Sequence, residues 1–212
     1  MPAITLYFAP QSRAVRALWL LEEIGAPYDL VALDLQRGDH KRPEFLRLNP
    51  MGKVPVVVVD GHPVWESPAI VAHLCDLFPE AGLAPAPGTP ERADFYRWLS
   101  FATAVMEPAF ANHVAGHEGN PHQLGWGDFA TMKSALSQGL AGREWLLPQG
   151  FSGADLMVGG NLAWFTGWAP EAFADVAGAS AYVERIRARR AYRRASEREA
   201  EILETLAARP KS

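Results

Sequence analysis

Two adjacent residues near the middle of the chain, Val54 and Pro55, have types suited to binding a peptide main chain. Pro55 heads a run of four valines in NPMGKVPVVVVDGHPVWESPAI, residues 49–70. Because proline cannot donate a backbone hydrogen bond, it belongs at the start or edge of a strand, and it pushes Val54 into extended geometry. An extended residue at a sheet edge can pair with an extended peptide.

A second pair, Glu66 and Ser67, precedes an apolar helical pattern. The pattern predicts Ser67 as N-cap and Pro68 as the first helical residue. The first N–H groups of a helix are unpaired and partly positive, so they attract a carboxylate, while Glu66 can pair with an amine. The two residues would hold both ends of an α-amino acid head group. The alternative is that Ser67 only caps its helix and Pro55 only marks a strand edge.

The elements around these pairs predict an α/β domain. A strand, a helix ending before Gly25 and a second strand form a β-α-β unit, which favours parallel strands with a right-handed crossover. Asp60-Gly61 is a strong hairpin signal between two further strands. The predicted strands lie at 3–8, 28–35, 56–59 and 64–65, and the predicted helices at 12–23 and 68–78.

A change in composition separates this domain from the rest of the chain. The stretch PEAGLAPAPGTP, residues 79–90, is rich in Pro, Gly and Ala and predicts a linker. Only helical spacing follows it, and cap residues mark helix starts. We therefore expect an α/β domain at residues 1–80 and an all-α helical bundle at residues 88–212. The predicted caps are Thr89, Asp128 and the Ser152–Asp155 capping box.

Composition excludes several classes of protein. The chain has 212 residues, 49% of them hydrophobic, and a net charge of −4, which argues against a general nucleic-acid binder. Its one cysteine, Cys75, cannot form an internal disulfide, which fits a reducing compartment. We see neither a signal peptide nor an apolar run of membrane-spanning length. These features predict a cytoplasmic protein that does not bind membranes.

Two histidines at helical spacing, His113 and His117, raise the question of a metal site. Spacing of i, i+4 can present two ligands on one helix face. Gly116 and Gly119 weaken a helix here, however, and no HExxH context exists. We expect no metal and assign the segment to the border of a substrate pocket.

The chain resembles the cytosolic glutathione S-transferases, in particular bacterial and theta-like members, over nearly its whole length. The resemblance is carried by LYFAPQSRAVRALWLLEEIGAPYD, by RPEFLRLNPMGKVPVVVVDGHPVWESPAIVAHL and by FSGADL. It implies a thioredoxin-like N-terminal domain, an all-helical C-terminal domain and a homodimer. It also implies glutathione as co-substrate and a small hydrophobic electrophile as second substrate.

The resemblance implies roles for both residue pairs. Val54 would exchange backbone hydrogen bonds with the cysteinyl part of glutathione, and Pro55 would be a cis proline that shapes this edge. Glu66 and Ser67 would hold the γ-glutamyl amine and carboxylate.

The resemblance also implies two side chains at the other end of glutathione. Lys53 and His40 would lie near its glycyl carboxylate. His40 stands in a G-D-H-K stretch that resembles the corresponding loop of theta-like members. An exposed loop histidine without a role is the alternative.

The catalytic group must favour the thiolate, because the thiol is a poor nucleophile. A hydroxyl donor at the start of the first helix can stabilise that anion with help from the helix dipole. Ser12 is the candidate, since it resembles the serine in the N-S-R-x-V-R pattern of bacterial members. A theta-type alignment would instead put the catalytic position near Ala9, and Arg13 could supply positive charge. Ser12 is also a good N-cap.

Three functions remain open at this point. The first is a transferase, with Met106, Phe110, Trp164 and Trp168 as candidates for an apolar second-substrate pocket or, alternatively, as core residues. The second is a glutathione-dependent peroxidase or disulfide reductase that uses no protein cysteine. The third is a non-catalytic glutathione-binding interaction module.

Overall fold

The computed structural model describes residues 1–117 and 119–209, which divide into two compact units. The first unit combines Met1–Ala81 with the segment from Arg189, and the second is Gly82–Ala188. The sequence predicts one domain from residue 88 onward, whereas in the structure the segment from Arg189 belongs to the first unit. The reason for this difference is the packing of the last helix, described below.

A four-stranded mixed sheet forms the centre of the first unit, with strand order β2-β1-β3-β4. β1 pairs parallel with β2 and antiparallel with β3, and β3 pairs antiparallel with β4. This sheet with its helices confirms the thioredoxin-like prediction. The strands are β1 (Ile4–Phe8), β2 (Asp29–Ala32), β3 (Val56–Val59) and β4 (His62–Trp65). The helices that follow β1, β2 and β4 are α1 (Ala14–Ile24), α2 (Pro43–Leu46) and α3 (Ser67–Leu77).

The hairpin between β3 and β4 turns on two residues with positive φ. Asp60 has φ 48° and Gly61 has φ 83°, the combination that a two-residue turn needs to match the twist of its strands. The Asp60 carboxylate accepts the Ala3 N–H at 2.9 Å, and the Asp60 N–H donates to the Ala3 carbonyl. The turn therefore also holds the beginning of β1.

The C-terminal helix α9 (Arg190–Ala207) packs along α1. Arg189 donates to both carboxylate oxygens of Glu23, at 2.6 and 2.8 Å. Arg194 donates to the Glu22 carboxylate at 2.7 Å and to the Glu22 carbonyl at 2.6 Å. These paired, charge-assisted contacts explain why the C-terminal segment belongs to the first unit.

The second unit is helical in the part that the structure describes, apart from turns and short irregular stretches. Its predicted caps are confirmed: Thr89 and Asp128 accept backbone N–H groups, and Ser152 with Asp155 forms the capping box. Burial raises the pKa of Asp155, although hydrogen bonds from Leu146, Tyr182 and Ser152 act in the opposite direction. The helices are α4 (Pro90–Phe101), α5 (Glu107–Val114), α6 (Phe129–Leu140), α7 (Gly153–Trp168) and α8 (Ala179–Ala188).

The junction between α4 and α5 combines a change of helix type with a proline. A π-helical segment, Ala102–Met106, separates α4 from α5, and Pro108 lies in the first turn of α5. The side-chain amide of Asn161 donates to the Ala102 carbonyl at 2.6 Å, so α7 satisfies a polar group where the hydrogen-bond pattern changes.

No helix within residues 1–117 and 119–209 is both long and apolar enough to cross a membrane.

The attachment of α9 should weaken in acid. Burial raises the pKa of Glu22, but hydrogen bonds from Arg194 and Tyr28 and nearby arginine charges outweigh it and leave the pKa below its ordinary 4.5. The unfolded chain therefore binds more protons, and stability is lost as pH falls through the folded-state pKa. We expect the opening free energy of α9 amides, from hydrogen exchange, to fall between about pH 5 and about pH 3.

The Glu22→Gln variant removes this titration. Its α9 protection should be lower than wild type at neutral pH and should change less over the same interval. Glu204→Gln is the matched control, because Glu204 is an exposed position on α9. This variant should show the same α9 protection and the same acid response as wild type. An equal acid response in Glu22→Gln and wild type would contradict the assignment.

Candidate functional site

The register of three strands gathers the predicted site residues at one end of the sheet. Tyr7 of β1 pairs with Val56 of β3, and Val56 pairs with Trp65 of β4. β1 therefore ends where β3 begins and β4 ends. Pro55 and Glu66, one residue beyond this row, lie at the same end of the sheet, as does the loop that follows β1.

The segment entering β3 presents an unpaired main chain. The Val54–Pro55 peptide bond is cis, as the resemblance implies. Pro55 is buried and Val54 is half-buried. Within residues 1–117 and 119–209 the Val54 N–H and C=O make no hydrogen bond, so both are available to an extended ligand.

A buried side chain that sequence reasoning missed, Asn49, fixes this segment. Asn49 is 2% exposed. Its amide nitrogen donates to the Lys53 carbonyl at 2.8 Å, and its amide oxygen accepts the Met51 N–H at 3.0 Å. Asparagine ahead of Pro50 and Gly52 is a turn signal that could have identified it. These two hydrogen bonds fix the path of the main chain that leads into Val54.

The turn packs against the loop that carries His40. Gly52 has φ 59°, and a Cβ there would lie 2.9 Å from the His40 carbonyl oxygen, so only glycine fits. His40 is half-buried, not an exposed loop residue, and its Nδ1 is buried with no hydrogen-bond partner among the described residues. A buried unpaired polar atom calls for an explanation, such as a ligand. The exposed Lys53 lies on the same turn as Gly52.

The prediction that Ser67 is the N-cap is wrong. α3 begins at Ser67 itself, and Glu66 is the N-cap, whose carbonyl accepts the Ile70 N–H at 2.9 Å. The reason is the Glu66 backbone, which turns the chain from β4 into the helix at φ 69° and ψ 119°. A non-glycine residue in this region costs about 1–3 kcal/mol, and such positions cluster at ligand clamps.

Since Glu66 caps α3, Ser67 has no capping role. Ser67 is 7% exposed, and across the described residues neither its hydroxyl nor its N–H has a hydrogen-bond partner. A hydroxyl and an N–H at a helix N-terminus form a favourable setting for a carboxylate. The exposed Glu66 carboxylate lies beside it.

The hydroxyl of Ser12 is already engaged at the start of α1. It donates to the Ala9 carbonyl at 2.6 Å and accepts the Ala14 N–H at 3.1 Å. Ser12 is half-buried, and Arg13 after it is exposed. The N-cap of α1 is Arg13 and not Ser12, so Ser12 lies one residue before the position predicted for it, although its hydroxyl accepts the Ala14 N–H. Its one proton reaches a ligand only if the hydroxyl rotates away from Ala9.

The four predicted residues of the second-substrate pocket differ in exposure. Met106 is fully buried, and Phe110 is 5% exposed and stacks on Phe165 with ring centroids 4.0 Å apart. Trp164 and Trp168 are 47% and 71% exposed, with centroids 6.2 Å apart. The first two are core residues, and the two tryptophans form an aromatic surface.

A cleft of about 520 Å³ lies elsewhere in the second unit, between α5 and α6. α5 ends at Val114, so His113 and His117 do not share a helix, although both line the cleft. His113 stacks on Phe129 at 4.0 Å. Among the described residues no group of three or more His, Cys, Asp or Glu side chains could hold a metal ion.

The role of Asn49 predicts a measurable loss on Asn49→Ala. The change leaves the Lys53 carbonyl and the Met51 N–H without their partner, so we expect the free energy of unfolding to drop by about 1–3 kcal/mol. Chemical denaturation of the full chain would measure it. Asn112→Ala, a half-buried asparagine in α5, should stay within about 0.5 kcal/mol of wild type. Equal stabilities for the two variants would contradict the role.

Comparisons with known proteins find relatives over most of the chain. Residues 2–76 match the family model described as glutathione S-transferase, N-terminal domain. Glutathione S-transferase GST-4.5 of Xanthomonas campestris pv. campestris is 30% identical over 73% of this chain and 77% of its own length. The disulfide-bond oxidoreductase YfcG of Escherichia coli K12 is 30% identical over 78% of this chain and 80% of its own length.

A solved structure extends the likeness to three dimensions. The glutathione S-transferase of a sphingomonad, complexed with glutathione, matches with a TM-score of 0.71 and 29% identity. The match covers 92% of this chain and 98% of that one. The domain match, the curated relatives and the shared fold together show that the chain belongs to the glutathione S-transferase family.

Proposed function

We propose that this chain binds glutathione at the end of the sheet where β3 begins and β4 ends, favours its thiolate, and transfers it to a hydrophobic electrophile. The observation that carries the proposal is the unpaired main chain of Val54 beside the unpaired hydroxyl of Ser67. Membership of the family and the glutathione complex of a related structure support the choice of ligand.

The γ-glutamyl part of glutathione binds to Glu66 and Ser67, and its cysteinyl part binds at Val54 and Pro55. Val54 exchanges main-chain hydrogen bonds with the cysteinyl residue, next to Pro55. The γ-glutamyl carboxylate accepts from the Ser67 hydroxyl and from the N-terminus of α3, and the Glu66 carboxylate pairs with the γ-glutamyl amine.

The glycyl carboxylate faces the Lys53 and His40 side chains of the neighbouring loops. Lys53 offers an ammonium group, and the buried Nδ1 of His40 gains a partner if it donates to this carboxylate. The packing of Gly52 against the His40 carbonyl supports the pairing, because it keeps the two loops in contact.

Ser12 supplies the hydrogen bond that favours the thiolate. Its hydroxyl leaves the Ala9 carbonyl and donates to sulfur, while the N-terminus of α1 adds positive potential. The thiolate then attacks the electrophilic carbon, a C–S bond forms, and the leaving group departs with its electron pair. Arg13 and backbone N–H groups are the alternative donors.

Further features belong to the same proposal, and membership of the family supports them. In this proposal the active protein is a homodimer that acts in the cytoplasm, in detoxification, without a metal, a nucleic acid or a membrane as partner. Met106, Phe110, Trp164 and Trp168 remain the predicted second-substrate pocket, with the exposed Trp164 and Trp168 as its contact surface and Met106 and Phe110 behind it in the core.

A glutathione-dependent disulfide reductase or peroxidase is the second candidate, favoured by the similarity to YfcG. Such a reaction would proceed without a protein cysteine, since Cys75 is buried in α3. Purified protein should be assayed with glutathione and a chlorinated nitroarene, and separately with a hydroperoxide and a small disulfide. Conjugation well above the rate of the other two reactions supports the transferase, and the reverse order supports the second candidate.

Binding of the head group predicts the effect of Ser67→Ala. We expect glutathione affinity to weaken by about 1–3 kcal/mol in calorimetry, because a charged carboxylate loses a hydrogen-bond donor. Ser134→Ala, an exposed serine in α6, is the matched control and should bind as wild type does. Unchanged affinity in Ser67→Ala would place the head group elsewhere.

A further inference from the structure

A contact from the C-terminal helix reaches the loop between β1 and α1. The carboxylate of Glu199, on α9, accepts the backbone N–H of Gln11 at 2.7 Å. The two residues are 188 positions apart in the sequence. Gln11 immediately precedes Ser12, so this contact acts directly on the loop that presents the proposed thiolate donor.

The backbone of Gln11 needs such support. Its φ is 54°, in the left-handed region that non-glycine side chains rarely adopt. A conformation of this kind persists when surrounding contacts determine it. A carboxylate bonded to a backbone N–H is charge-assisted and stronger than a neutral pair, and Glu199 provides it at this position.

The helix that carries Glu199 is itself fixed. Arg189 and Arg194 hold α9 to the Glu23 and Glu22 side chains of α1, as described above. The same two helices therefore position the loop from both sides: α1 begins just after it, and α9 holds its N–H. Glu199 is half-buried and Gln11 is exposed, so the strength of this contact comes from the carboxylate charge and not from burial.

We propose that Glu199 is a positioning residue for thiolate activation, which it serves by holding Gln11 in the left-handed conformation that aims Ser12 and the start of α1. It does not touch the sulfur itself. The inference rests on the proposed function, because it assigns Glu199 to the loop that acts on glutathione.

The test combines hydrogen exchange of the Gln11 amide with an ultraviolet titration of the bound thiol. In Glu199→Ala we expect the Gln11 amide to exchange about tenfold faster, because the loss of one such hydrogen bond raises the population of the open, exchanging state by about that factor. We also expect the pKa of bound glutathione to rise toward the free value of about 8.5, with affinity near that of wild type. Glu199→Gln, which keeps an acceptor oxygen, should lie between the two.

Glu197→Ala is the matched control, because Glu197 is an exposed carboxylate on the same helix. It should match wild type in exchange and in thiol pKa. Faster exchange of Gln11 with an unchanged thiol pKa would overturn the positioning role, and so would unchanged exchange in Glu199→Ala. If the wild type itself shows no lowered thiol pKa, the proposed function fails; the exchange result for Gln11 then separates that failure from an absent Glu199 contact.

Discussion

The pairing of β1, β3 and β4 is the constraint on which the site depends. The row of Tyr7, Val56 and Trp65 fixes which residues emerge together at one end of the sheet. A shift of one residue in either pairing would turn the side chains of a strand to the opposite face. The two-residue turn at Asp60-Gly61 sets the register of β3 against β4, and the Asp60 contacts with Ala3 set the beginning of β1.

The residues at this end of the sheet fall into two groups. Some serve the fold, and others keep polar groups that a ligand can bind. Asn49 and Gly52 serve the fold. The Asn49 side chain bridges its turn by donating to the Lys53 carbonyl, and Gly52 allows that turn to pack against the loop that carries His40. Val54 and Ser67 retain polar groups without partners among the described residues, in the same small region. The strained Glu66 backbone separates β4 from α3 and leaves the helix N-terminus open. This division favours a ligand site over a purely structural sheet edge.

Much of the fold could be predicted because its signals are local. The Asp60-Gly61 turn, the Gly25 stop and the capping box of Ser152 and Asp155 depend on a few neighbouring residues, and the structure contains each of them. Residue types predict the N-cap of α3 at Ser67, one position after its place at Glu66, because the positive φ of Glu66 leaves no trace in residue type. The grouping of α9 with the first unit and the contact from Glu199 to Gln11 depend on tertiary packing, for which spacing in the sequence offers no guide.

The most direct test of the account is an ultraviolet titration of glutathione bound to the wild-type protein, with Ser12→Ala and Ser12→Thr alongside. We expect a thiol pKa well below the free value of about 8.5 in wild type and Ser12→Thr, and a pKa near the free value in Ser12→Ala. A lowered pKa that survives in Ser12→Ala would transfer activation to Arg13 or to backbone N–H groups. Glutathione that binds to wild type with its free-solution pKa would contradict the claim of thiolate activation.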